Sequence, residues 1–384
     1  MSIQSLANKY ICDVPVYEPG RPIEEVAREM GLNPKSIIKL ASNENPLGPS
    51  PKAVAAMRKA LATSHLYPDG GGFYLRQAIA EKLGRATSRL SAGSARPSES
   101  GRPSISIDNI ILGAGSNEII EFLYHAFVSP GDEIIAGDRA FVIYAIMARM
   151  FQARCVEVPF RGHTHDLKAM LAAITPRTKL VFVANPNNPT GTRVTDAELD
   201  DFIRRLPAHV MAVLDEAYIE FLDDPPPSIE YAMKRNVVVL RTFSKIVGLA
   251  GLRIGYGVAQ KECIDLLQRV RQPFNTNAVS QAGALAALDD AAHIRKTKAV
   301  TRRGLAYLYR EFERLKLEYV PSCANFVLVN VGDGDEVFRG LQRRGVIVRP
   351  MRGYKMPEWV RVTVGTAEEN RKFIRALEQE HNGL

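Results

Sequence analysis

The chain has little cysteine, no long apolar run and no motif for binding nucleic acid, and each shortage removes a class of protein. Its four cysteines in 384 residues, Cys12, Cys155, Cys263 and Cys323, stand far apart, with neither the paired spacing of metal ligands nor the density of a disulfide framework. They read as buried apolar residues, and no metal site is expected. No stretch approaches the roughly 20 apolar residues that cross a bilayer, so no membrane partner is expected. The opening Met-Ser-Ile-Gln-Ser-Leu-Ala-Asn-Lys lacks a charged head followed by an apolar core, which argues against a secretory signal and for the cytoplasm. The formal charge of +8 is accompanied by no helix-turn-helix or aromatic-basic motif, so nucleic acid is not an expected partner either. Attraction of anionic small molecules is enough to account for it. A content of 46% hydrophobic and 24% charged residues describes a globular chain long enough for two domains.

What is present is a set of short apolar runs, each ending in polar residues. Val237-Val238-Val239-Leu240 leads into Arg-Thr-Phe-Ser-Lys-Ile-Val-Gly-Leu-Ala-Gly-Leu-Arg, which offers hydroxyls at Thr242 and Ser244, an amine at Lys245 and a guanidinium at Arg253. Thr242, Ser244 and Arg253 can hold a phosphate while Lys245 condenses with an aldehyde, the means by which proteins anchor pyridoxal phosphate. Taken alone, the same segment also fits a surface lysine after a strand. A second run, Met-Ala-Val-Leu, ends in Asp215 with Tyr218 three residues on. At the carboxyl end of a buried parallel strand, Asp215 can pair with a protonated pyridine nitrogen, and Tyr218 can hydrogen-bond the ring's phenolic oxygen. Capping of a helix start is the other use of such an Asp. A third run, Val181 to Ala184, breaks into Asn-Pro-Asn-Asn-Pro-Thr-Gly, whose prolines exclude helix and fix Asn188 as a donor to the same oxygen.

In this order the segments resemble the fold-type I pyridoxal-phosphate aminotransferases, and within them the histidinol-phosphate aminotransferases. The resemblance spans nearly the whole chain: Ala-Ser-Asn-Glu-Asn-Pro-Leu-Gly (41 to 48), Tyr-Pro-Asp-Gly-Gly-Gly (67 to 72), the three segments above, Ala-Asn-Phe (324 to 326) and Arg-Val-Thr-Val-Gly-Thr (361 to 366). It implies an α/β fold in which a large domain with a mostly parallel, helix-covered sheet carries a smaller C-terminal α/β domain. The expected divisions are an N-terminal arm over 1–50, a large cofactor domain over 51–275 and a small domain over 276–384. The resemblance further implies pyridoxal 5'-phosphate as cofactor. Ser116 and Asn117 would meet its phosphate where Gly113-Ala114-Gly115 opens a helix, and Phe141 would stack on its ring. Tyr67 would reach the phosphate in the other subunit of a homodimer with shared active sites.

For the substrate, the resemblance assigns Arg361 to an α-carboxylate, Arg349 to a substrate phosphate and Tyr17 to closure over the substrate, with Asn325 in the same small-domain set. Arg349 and Arg361 each sit in a short apolar run, where a cation is costly to bury without an anion. Arg352 and Lys355 read as solvated loop charges. The implied reaction is a ping-pong exchange between an amine and a 2-oxo acid, histidinol phosphate and 2-oxoglutarate, with Lys245 first as tether and then as base. Transamination of aromatic amino acids is the near alternative, and decarboxylation of a phosphorylated amino acid a further one. Residues 85 to 106, rich in Ser, Arg and Gly, depart from the family's connection at this point and read as a surface loop.

Overall fold

The apolar runs become the centre of a seven-stranded sheet in the computed structural model, which describes residues 2–16, 20–90 and 104–381. The strands lie in the order Ile110–Gly113, Gly255–Val258, Val237–Thr242, Met211–Asp215, Thr178–Ala184, Glu133–Gly137 and Arg154–Val158. Gly255–Val258 is antiparallel to both its neighbours; the other pairings are parallel. Alternation along each strand feeds two cores, because successive side chains point to opposite faces. Val181, Val183, Leu214 and Val239 pack into one core with the helices Phe73–Leu90, Asp196–Arg205 and Ala278–Leu288. Leu180, Phe182, Val213 and Val238 pack into the other with Ser116–Phe127, Ile143–Met150 and Lys261–Val270. A sheet covered on both faces explains why these strands read as unbroken apolar runs rather than as alternating ones.

A second, antiparallel sheet of four strands, Arg349–Pro350, Trp359–Thr363, Phe326–Asn330 and Tyr319–Val320, packs Val327, Val329, Val360 and Val362 against Leu308, Phe312 and Phe373. Ile38–Lys39 pairs with Val346–Ile347, which ties the N-terminal segment to this smaller unit.

The N-terminal segment carries short 3-10 turns at Ile3–Leu6 and Lys9–Asp13 and the helix Ile23–Met30. The small unit is entered through two helices, Ala278–Leu288 and Ala291–Arg314. The break falls at Asp290, whose carboxylate caps the second helix through the His293 N–H (3.1 Å) and accepts from the Ser50 hydroxyl (2.6 Å). The loop expected from 85 begins later, since Phe73–Leu90 is one helix; residues 91–103 lie outside the described residues.

Candidate active site

The carboxyl ends of the parallel strands open on one cavity, as strand ends of such sheets do. Asp215, the last residue of its strand, lines it, and Glu216 turns the other way into a buried ion pair with Arg241 (2.8 Å). The Asp215 carboxylate accepts from the Tyr144 hydroxyl (2.7 Å) and the Ala217 N–H (3.2 Å). Burial raises its pKa, and those two hydrogen bonds oppose the rise. A cation in the cavity would hold this acid ionised.

A second wall is built for a dianion. The helix Ser116–Phe127 begins at the cavity, with Gly115 before it at φ +78°, a conformation few residues other than glycine adopt. A Cβ at Gly115 would lie 2.3 Å from Arg253 Nη2, so glycine is also what allows the guanidinium to cross the helix start. Arg253 Nη1 approaches Ser244 Oγ at 3.4 Å, and the Thr242 hydroxyl donates to Ser244 Oγ at 2.9 Å. Free helix N–H groups, two hydroxyls and a guanidinium in one place form an anion cradle. Asn117 Oδ1, buried there, has no hydrogen-bond partner among the described residues.

Between these walls Lys245 extends from the turn after Val237–Thr242. Its amine donates to the Ser42 carbonyl at 3.1 Å and lies 5.8 Å from the centre of the Tyr218 ring. Burial, and then the neighbouring Arg361, pull its pKa from 10.5 down to about 8. Burial pushes the Tyr218 phenol up to about 12. Arg361 is itself buried, donating to the Ala41 carbonyl at 2.7 Å and to Asn188 Oδ1. Arg349 stands opposite it on the adjacent antiparallel strand, and both line the cavity. Two cations facing each other repel, so this end of the cavity is suited to an anion between them.

Of the residues singled out in the sequence, Ser116, Asn117, Phe141, Asn188, Asp215 and Tyr218 line this one cavity, as do Thr242, Ser244, Lys245, Arg253, Arg349 and Arg361. Asn325 does not. It is buried behind the wall and donates to the Asn43 and Glu44 carbonyls at 3.0 and 3.4 Å, so it can reach a ligand only through that segment. Tyr67 is 82% exposed and stacked on Phe274, away from the cavity of its own chain. Tyr17 lies outside the described residues. Arg352 and Lys355, read as solvated loop charges, are exposed, and each is ion-paired as well, to Asp335 and Glu157. The sequence reading passed over Ser42, Asn43, Tyr144 and Tyr354, all of which line the cavity. Asn43 falls inside the segment Ala41 to Gly48, and Tyr144 stands three residues after Phe141. Only their distance in space from Tyr218 and Asp215 gives them meaning.

The residues fit pyridoxal phosphate at three separate points: a dianion cradle, an amine lowered to about 8, and a buried acid awaiting a cation. Comparison with known proteins agrees. The family model "Aminotransferase class I and II" matches residues 35–377. A histidinol-phosphate aminotransferase of Akkermansia muciniphila is 47% identical over 381 residues, covering 99% of each chain. One of Moorella thermoacetica is 48% identical, covering 96% of this chain and 91% of that protein. Among solved structures, the Sinorhizobium meliloti histidinol-phosphate aminotransferase in complex with pyridoxal-5'-phosphate superposes with a TM-score of 0.85 at 26% identity, covering 99% of this chain and 98% of that one. A Thermus thermophilus aspartate aminotransferase double mutant gives 0.81 at 26% identity, covering 98% and 99%.

Proposed function

This chain belongs to the class I and II aminotransferases, and from that premise we propose that it exchanges an amino group between histidinol phosphate and 2-oxoglutarate. The enzyme uses pyridoxal phosphate, held by Ser116, Asn117, Thr242, Ser244 and Arg253 at the phosphate and by Phe141 against the ring. Bound there, the cofactor supplies an aldehyde that takes up the amine and a ring that draws in the electron pair left on the substrate carbon. Asp215 keeps the ring nitrogen cationic, and Tyr144 orients Asp215 by its hydrogen bond. Lys245 is the tether at rest. Once displaced, its amine moves the proton at the reacting carbon, a task that suits a base with a pKa near 8. Asn188 accepts from Arg361 through Oδ1, which leaves its amide N–H end to donate to the phenolic oxygen beside Tyr218.

The observation that carries the substrate is the facing pair Arg349 and Arg361 at one end of the cavity. Histidinol phosphate has a phosphate and no α-carboxylate, so both guanidinium groups can meet that phosphate, and the same two then meet the carboxylates of 2-oxoglutarate. We further read residues 1–50 as an arm, 51–275 as the cofactor domain and 276–384 as the small domain of a cytoplasmic homodimer. Leu66, Tyr67, Tyr74 and Phe274 support the dimer as exposed large apolar side chains, with Tyr67 stacked on Phe274, and Tyr67 would reach the partner's phosphate site.

A half-reaction tests the proposal. Given histidinol phosphate without an oxo acid, the loaded protein should lose its visible absorbance and release one keto product per site, and 2-oxoglutarate should restore the colour. A spectrum indifferent to histidinol phosphate overturns the reading.

A further inference from the structure

Asn43 is a buried residue in a left-handed backbone conformation (φ +56°), and it lines the cavity. Asn adopts that conformation more readily than most side chains, so the backbone favours Asn, Asp or Gly here without requiring them. Its hydrogen bonds narrow it further. The Asn43 backbone N–H donates to Thr363 Oγ1 at 2.9 Å, so the Thr363 hydroxyl has its hydrogen left to give, and it gives it to Asn43 Oδ1 at 3.1 Å. That fixes which end of the amide is the carbonyl. The other end, Nδ2, donates to the Tyr218 hydroxyl at 2.9 Å. Asn325 braces the same turn by donating to the Asn43 carbonyl.

A phenol has one hydrogen to donate, and a hydroxyl that is accepting from a neighbour must point that hydrogen elsewhere. We infer that Asn43 is a positioning residue for the reaction: by donating to the Tyr218 oxygen it forces the Tyr218 proton toward the cavity and the cofactor's phenolic oxygen. Thr363 sets the direction of the chain and Tyr218 delivers it. Thr363 is not among the residues that line the cavity, and the role inferred for Asn43 runs through Tyr218. Tyr218 is buried and packed edge-on against Phe326 at 5.1 Å between ring centres, which holds its ring in place beside Asn43.

The inference rests on Tyr218 donating to that oxygen, and the test separates the two claims. The readout is the pH midpoint of the visible absorption of the resting, cofactor-loaded protein. A hydrogen bond from Tyr218 draws charge off the phenolic oxygen and so weakens its hold on the proton it shares with the lysine-linked nitrogen. Tyr218→Phe should therefore raise the midpoint, by about one pH unit for a hydrogen bond to a charged acceptor. Asn43→Asp keeps size and backbone but offers Tyr218 an acceptor, which reverses the direction of the bond. It should raise the midpoint as Tyr218→Phe does, and the Asn43→Asp/Tyr218→Phe double variant should match Tyr218→Phe alone. Asn43→Gly, which keeps the left-handed backbone, frees the hydroxyl and should give a smaller rise that also vanishes in the Tyr218→Phe background. Should Tyr218→Phe shift the midpoint while both Asn43 variants titrate as the parent, the positioning role is wrong and the Tyr218 role stands. Should the double variant shift further than Tyr218→Phe, the new carboxylate acts by its charge and the inference is overturned. No shift in Tyr218→Phe itself removes the premise, and the inference with it.

Discussion

Replacing Arg349 by alanine separates recognition of a phosphate from recognition of an amino-acid carboxylate. Arg349 is half-buried at the cavity mouth, opposite the buried Arg361, so its contact with a substrate phosphate is a charge-assisted hydrogen bond that solvent partly screens. Such bonds contribute about 1.5 to 3 kcal/mol, which predicts a KM for histidinol phosphate raised roughly 10- to 100-fold. The effect belongs at the lower part of that range, because removing Arg349 also relieves its repulsion of Arg361. The kcat should change little, since the contact is made in ground state and transition state alike. Phenylalanine presents only a carboxylate and should lose much less. The assay is steady-state transamination with 2-oxoglutarate saturating, for both amines and for Arg349→Lys, which keeps charge without the planar fork and should fall between. An unchanged KM for histidinol phosphate in Arg349→Ala refutes the assignment.

Lys245→Ala should abolish the covalent attachment of the cofactor, and peptide mapping after borohydride reduction of the parent should find the pyridoxyl group on Lys245 and on no other lysine. Asp215→Ala should retain bound cofactor yet lose turnover by several orders of magnitude, because an uncharged pyridine is a poor electron sink; near-normal activity would remove the ring-nitrogen role. The lowered Lys245 pKa carries a stability signature in the cofactor-free protein. Between about 8 and 10.5 the unfolded chain binds a proton at this lysine that the folded chain does not, so folding stability rises with pH across that window. Relative to Lys245→Met, the gain should approach roughly 3 kcal/mol in denaturant titrations, and parallel pH profiles for the two proteins would contradict it.

Much of this was legible in the sequence because catalytic groups at strand ends leave a local mark: an apolar run that stops at Asp215, at the Asn188 turn, or just short of Lys245. Buried parallel strands and their exits are sequence-local, and so the order of the large unit could be read. Pairing across the chain could not. That Tyr144 meets Asp215 across 71 residues, or Asn43 meets Tyr218 across 175, depends on how helices and the N-terminal segment fold back over the sheet. Asn325 shows the reverse case. It stands in a segment shared with the family, yet its amide is engaged in bracing the wall at Asn43 and Glu44 rather than in lining the cavity. A helix break depends on such pairing too, since Asp290 breaks the 278–314 stretch through partners at Ser50 and His293, one of them far away in sequence.

Whether this cavity selects histidinol phosphate as its amine is read from kcat/KM for histidinol phosphate beside phenylalanine and tyrosine, with 2-oxoglutarate as acceptor. The facing arginines predict that histidinol phosphate is preferred over both by about tenfold or more, the equivalent of one charge-assisted contact. A preference of that size for phenylalanine or tyrosine would overturn this assignment and make the protein an aromatic aminotransferase.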